Sequence, residues 1–106
     1  MADTLTAKYT KIESTSAVAV TTAGAWTTTV LSLSICNITS TDITFDMYVT
    51  DNSGSSNFYV YDDQSLPGPS TFMHNSKIVL EANDVVYIQT SANVATTVVA
   101  SVLKQT

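Results

Sequence analysis

Acid–base or nucleophilic chemistry needs a histidine, a thiol or paired carboxylates within reach of one another, and this chain offers few such groups. It has one histidine, His74, and one cysteine, Cys36. His74 stands in the run TFMHNSK, between a strand-like stretch and a turn. No neighbour in sequence is suited to orient it or to share a proton with it. It reads as an ordinary surface or interface side chain. Cys36 lies inside an apolar run with no basic neighbour to activate it, and reads as a small buried hydrophobe.

The carboxylates need a metal test. Asp42, Asp46, Asp51, Asp62 and Asp63 fall near expected loops, and a hard cation such as Ca²⁺ takes such oxygens. An EF-hand requires a D-x-D-x-D-G run with a distal Glu, and DNSGSSNFYVYDD does not supply it. These acids are expected to solvate strand ends and make edges that repel one another. A carboxylate pair for glycoside hydrolysis comes without an aromatic-rich cleft signature. The residues therefore point to no catalytic set, no metal site and no cofactor, and to a protein that is not an enzyme and works by making contacts. Asn37-Ile38-Thr39 has the form of a glycosylation sequon, but the opening MADTLTAKYT has no apolar signal-like core. The sequon is read as a turn.

Composition narrows the partners. The net charge of -5 sets nine acids against Lys8, Lys11, Lys77 and Lys104, with no arginine. Phosphate neutralisation needs clustered cations, so nucleic acid is excluded as a partner. No stretch approaches the roughly 18 consecutive apolar residues of a membrane helix, so no membrane is expected. A lone cysteine makes no internal disulfide, which suits a chain made and kept in a cytoplasm or carried out of it in a particle. Charged residues are only 12% of the chain and hydrophobic residues 44%, so it folds, and 106 residues give room for one core. Ser and Thr make up more than a quarter of it. A surface of hydroxyls and amides suits a member of an assembly better than a free monomer.

The elements that would position these groups are strands. Ile43, Phe45, Met47 and Val49 alternate with Thr44, Asp46, Tyr48 and Thr50, the period of a half-buried strand. Thr27 to Asn37 puts Leu31, Leu33 and Ile35 on one face and Ser32, Ser34 and Cys36 on the other. The polar turn between these two segments predicts a β-hairpin. DNSGSS predicts a second hairpin, into a short strand from Asn57 to Tyr61. DDQSLPGPS is expected to form a wide crossing loop because Pro67, Gly68 and Pro69 do not suit a central strand. Strands follow at about 71–74, 77–80, 85–90 and 95–104, with a turn at Glu81 to Asp84 in which Asn83 can adopt the left-handed conformation. Residues 1–11 form either a flexible arm or a weak first strand, and 12–106 the folded domain. About eight short strands without helical periodicity predict an all-β antiparallel sandwich of jelly-roll type.

The aromatics are the candidate contact residues. If Phe58 and Val60 face the core, Tyr59 and Tyr61 face outward, and Tyr48 extends the patch if the two strands pair. Such tyrosines serve either as an interface or as a cross-strand ladder that only stabilises the sheet. Trp26, beside Ala23-Gly24-Ala25, is expected to plug the core, with a loop-tip anchor as the alternative. Tyr9 lies in the N-terminal stretch and completes the candidate interface set.

The segments Val30 to Asp51, with CNITSTDITFDMYV, and Lys77 to Leu103, with KIVLEANDVV, resemble a group of small virion proteins of tailed bacteriophages. The resemblance covers about three quarters of the chain and rests on strand and turn signals rather than on chemistry. It implies a virion structural protein, made in the bacterial host cytoplasm, most similar in size to capsid decoration (cement) proteins that bind an assembled head. Its partners would be the major capsid protein or other virion proteins, with self-association as a dimer or trimer. Neck, tail or fibre components are the alternatives within that group. From the aromatics alone, a carbohydrate-binding or receptor-binding module is the rival.

Overall fold

A strand that alternates apolar and polar residues has one face to bury, and two sheets facing one another bury it most completely. The computed structural model describes residues 3–51, 56–93 and 95–105. Its strands are β1 (Asp3–Ile12), β2 (Val18–Thr22), β3 (Thr27–Asn37), β4 (Ile43–Thr50), β5 (Asn57–Leu66), β6 (Ser70–His74), β7 (Ile78–Leu80), β8 (Val85–Thr90) and β9 (Thr96–Gln105). Among the described residues no helix is long and apolar enough to cross a membrane.

The strands form two antiparallel sheets, one ordered β1-β9-β3-β6 with β7 also on β3, the other β2-β8-β4-β5. β6 lies along Leu33–Asn37 and β7 along Thr28–Val30, so the two act as one interrupted strand beside β3. β9 inserts between β1 and β3, and β8 between β2 and β4. Early and late strands thus interleave in both sheets, which is the double Greek key of a jelly roll. The core lies between the sheets, with Leu33, Ile35, Val98 and Ala100 on one side and Phe45, Met47, Val86 and Ile88 on the other.

Two expectations about connections are corrected. β3 and β4 do not pair as a hairpin, because they belong to different sheets. Each carries its own apolar face, and placing them in opposite layers buries both faces against one another. β4 and β5 do pair, although residues 52–55 of the expected DNSGSS turn lie outside the described set. β5 also runs on to Leu66, through residues expected to form a crossing loop. Leu66 is 1% exposed, and its burial anchors a strand that two register shifts carry past the irregular residues. In β3 a shift between Val30 and Ser32 moves Leu31 out of phase, so Val30 rather than Leu31 shares the inner face with Leu33. β1 covers most of the stretch read as arm or weak strand and pairs with β9 in unbroken register from Asp3 to Ile12.

One polar side chain ties the crossing loops together. Asn37 is fully buried, and its Nδ2 donates to the carbonyls of Thr41 at 2.7 Å and Leu66 at 3.2 Å. Its Oδ1 accepts from the Thr39 amide at 3.0 Å and hydroxyl at 2.7 Å. The amide of the sequon-like triplet is thus wholly engaged inside the fold. Gly68 packs on the same turn so closely that a Cβ would overlap the Thr39 carbonyl oxygen. At the far end Asn83 takes the left-handed conformation, with φ 69°, and its amide donates to Gly24 O at 2.6 Å.

Replacing Asn37 with Ala strands the Leu66 and Thr41 carbonyls and the Thr39 donors at once. Asn37→Ala should cost about 3 kcal/mol in chemical denaturation and lower the melting temperature by more than about 10 °C. A loss under about 1 kcal/mol would show that water replaces the amide without penalty.

Candidate interaction surface

The outer face of the four-stranded sheet is crossed by a single row of side chains. Register places Ala19 of β2, Tyr87 of β8, Tyr48 of β4 and Tyr59 of β5 directly opposite one another in turn. The Tyr48 ring stacks on Tyr87 at 5.6 Å and 28°, and leans on Tyr59 at 5.0 Å and 39°. The row is a cross-strand ladder. Tyr48 is only 8% exposed despite pointing away from the core, while Tyr59 is 54% exposed. Burial, then the neighbouring Tyr59, Tyr87 and Asp46, push the Tyr48 phenol above its ordinary pKa. Tyr87 was missed in the sequence, where alternation with Val86 and Ile88 puts it outward but gives no cross-strand partner.

Tyr61 does not join the row, contrary to expectation. The register of β5 shifts between the residues facing Tyr48 and Met47, so Tyr59 faces out and Tyr61, opposite Met47, faces in. There it meets Phe45 edge-on at 6.0 Å and Phe72 at 4.9 Å. Its hydroxyl lies 2.7 Å from His74 Nδ1, the donor depending on the imidazole tautomer. His74 is 3% exposed, so it is a core residue and not the surface side chain expected. Its Nε2 is buried without a hydrogen-bond partner. Cys36, expected to be buried, is half-buried on the outer side of β3, because Ile35 and Asn37 take the inner positions.

The second shift in β5 sets Asp62 and Asp63 together opposite Asp46, with Asp63 in the left-handed region at φ 51°. The Asp63 amide donates to Asp46 Oδ1 at 2.8 Å. The three carboxylates lie within 4.8 Å of one another. Partial desolvation, the charges of Asp63 and Asp46 and a hydrogen bond to Asp46 raise the Asp62 pKa. Asp42 stands apart and accepts from the Gly68 amide at 3.1 Å. The trio is invisible in sequence because its spacing exists only across the bulge.

Trp26 is 45% exposed and is not a core plug. The Gly24 turn carries it past the end of the sandwich, where it lines a groove of about 330 Å³ with Lys8, Lys104 and Thr6. Tyr9, 77% exposed, lies on the opposite side of the molecule from the tyrosine row, on the outer face of the five-stranded sheet. Two apolar rows cross that face: Leu5–Leu103–Thr29–Val79 and Tyr9–Val99–Ser34–Met73. Between them lie only Ala7, Ser101 and Ser32 with the displaced Leu31, and no charge. Leu5, Met73, Val79 and Val99 are all exposed and were not singled out in the sequence. Alternation showed which residues share a face but not that both faces of this sheet are apolar.

The fold is shared with chains of virus particles. A chain of the T13 infectious bursal disease virus particle superposes with a TM-score of 0.61 at 6% identity, covering 96% of this chain and 31% of that one. A chain of the acidic stable capsid structure of Helicobacter pylori bacteriophage KHP30 gives a TM-score of 0.58 at 12% identity, covering 99% of this chain and 89% of that one. A chain of infectious bursal disease virus strain Gx gives 0.51 at 6% identity, covering 98% and 37%. The chain thus spans about a third of the bursal disease virus chains it matches and most of the phage one. No family model and no curated protein sequence matches it. At these identities the likeness is one of fold.

Tyr48 touches two rings, so Tyr48→Ala should destabilise the sheet by about 2 kcal/mol, and Tyr59→Ala by about 1 kcal/mol, read by denaturant midpoint. Equal losses would mean that the Tyr48–Tyr87 stack contributes nothing. The raised Asp62 pKa means that the folded chain binds this proton more tightly than the unfolded one. Stability therefore falls as pH rises from the usual carboxylate range through the raised value. Asp62→Asn should raise the melting temperature at neutral pH, with the gain vanishing below the usual carboxylate range; a gain that persists in acid would rule out this origin.

Proposed function

We propose that this chain is a structural protein of a virus particle, specifically a capsid decoration (cement) protein of a bacteriophage head, acting by contact and without catalysis. The observation that carries this reading is the near whole-length match to a chain of similar size in a phage capsid structure. The contact surface fits: between Asp3 and Lys11 the outer face of the five-stranded sheet carries no charge and exposes Leu5, Tyr9, Met73, Val79 and Val99. Exposed apolar patches of this kind mark protein interaction sites. Binding the assembled shell and not the free subunit stabilises the shell by mass action.

A second reading, a carbohydrate-binding or receptor-binding module of a neck, tail or fibre, is favoured by the Trp26 groove. A half-exposed indole beside two lysines and several threonine hydroxyls offers a ring platform and polar partners for a sugar.

Particles containing this chain should carry it at a fixed ratio to the shell subunit, and a particle reconstruction should place it on the outside of the head. Particles lacking it should assemble yet open at a lower temperature. Binding to glycans, with no occurrence in a head, would overturn the cement reading in favour of the second.

A further inference from the structure

A sheet edge presents unpaired amides and carbonyls, and folds blunt such edges with short strands, bulges, prolines or charge. The two sheets leave β1, β2, β5 and the β6/β7 line as edges. β2 has five residues and a register shift, β5 has two shifts and the acidic trio, and β6 and β7 are short pieces of five and three residues. β1 is long and unbulged, and its only protection is the charge of Asp3, Lys8 and Lys11. Its ten residues, DTLTAKYTKI, contain no proline and pair with β9 without a shift. Its other edge hydrogen-bonds to no strand among the described residues.

The sequence of β1 is complementary to itself when read backwards. Set antiparallel about Ala7, it brings Asp3 opposite Lys11 of a second copy, Leu5 opposite Tyr9, and Ala7 opposite Ala7. These five residues all lie on the outer face, since their partners on β9 are Gln105, Leu103, Ser101, Val99 and Thr97. Each is exposed, Leu5 at 74% and Tyr9 at 77%. On the inner side Thr4 meets Thr10 and Thr6 meets Lys8. The neighbouring registers lose this match: centred on Thr6, Asp3 faces Tyr9, and centred on Lys8 two lysines face each other. Lys11 already lies 3.9 Å from Glu13, in a largely exposed contact that holds it weakly.

We propose that the chain forms a two-fold dimer by antiparallel pairing of β1 with β1 of a second copy, in the register centred on Ala7, joining the two five-stranded sheets into one. Main-chain hydrogen bonds supply the attachment, and the Asp3–Lys11 and Leu5–Tyr9 pairs, each made twice, select the register. The proposal concerns the free chain in solution and stands apart from the virion reading.

The full chain should sediment as a dimer at micromolar concentration. Lys11→Asp, which sets one acid against Asp3 of the other copy at each end, should weaken the dimer about tenfold or more. Asp3→Lys combined with Lys11→Asp should restore it, which a merely local role for either residue would not do. Ala7→Cys in a Cys36→Ala background should oxidise to a covalent dimer, because directly opposed Cα atoms lie about 5 Å apart, within disulfide reach. Tyr9→Cys, displaced from its own copy by several residues along the strand, should not. The four β1 positions are exposed and Cys36 is half-buried, and unchanged circular dichroism would confirm that the variants fold. A monomer or trimer for the parent chain, a dimer indifferent to Lys11→Asp, failure of the double variant to restore it, or cross-linking at residue 9 rather than 7 would overturn the proposal.

Discussion

The structure depends on one apolar layer closed between two sheets. Leu33 and Ile35 of β3 and Val98 and Ala100 of β9 meet Phe45 and Met47 of β4 and Val86 and Ile88 of β8, and all eight are buried. No strand can complete such a layer with its neighbour in the same sheet, because paired strands point their apolar residues the same way. After most strands the chain must therefore cross to the other layer. These crossings put tight, polar loops at both ends of the sandwich, and Asn37 is the price of one of them. At zero exposure its side chain meets the Thr39 amide and the Thr41 and Leu66 carbonyls, which would otherwise be left at the crossing without it.

Bulges decide what the outer and inner faces carry. β5 holds more residues than β4 needs over the same span, and the excess appears as two register shifts. One rotates Tyr61 into the core, where it closes an aromatic cluster with Phe45 and Phe72 and meets His74. The other sets Asp62 and Asp63 beside Asp46. A single cause, surplus length in an edge strand, thus removes one tyrosine from the surface and concentrates charge on it. The same bulges twist that edge and keep it from pairing with another chain.

What could be read from the sequence follows from which signals are local. The alternation of Ile43 to Thr50 is local, and the structure reproduces it through Met47, beyond which Tyr48 is buried among its neighbouring rings and Val49 is half-buried. So is the strand from Thr27 to Asn37, apart from the slip at Leu31. The antiparallel sandwich itself followed from strands that were nearly all located. Cross-strand facts were not legible. Neither the separation of β3 from β4 nor the row Tyr87–Tyr48–Tyr59 has any signature along the chain, since both depend on strand order and register. Tyr61 was misplaced for the same reason, since strict alternation from Tyr59 predicts the wrong face once one extra residue intervenes; His74 was read as a surface side chain because its partner, Tyr61, lies in the other sheet and not near it in sequence. Trp26 was misread because a turn at positive φ at Gly24 carries it outward, and no periodicity applies to a turn.

The scarcity of charge is best understood from the two outer faces. On the four-stranded sheet the charged side chains gather at one end of the tyrosine row, in the trio of acids. On the five-stranded sheet the span from Leu5 to Tyr9 and across to Val79 and Met73 has none. A monomer with few ionic groups would ordinarily use them to interrupt its apolar surface. Here they are withheld from the face where interruption would be most useful. Hydroxyls of Thr29, Ser32, Ser34 and Ser101 fill the gaps instead, and these can be covered at a lower desolvation cost than carboxylates or ammonium groups. A face of hydroxyls and apolar side chains therefore costs less to desolvate than a charged face of the same area.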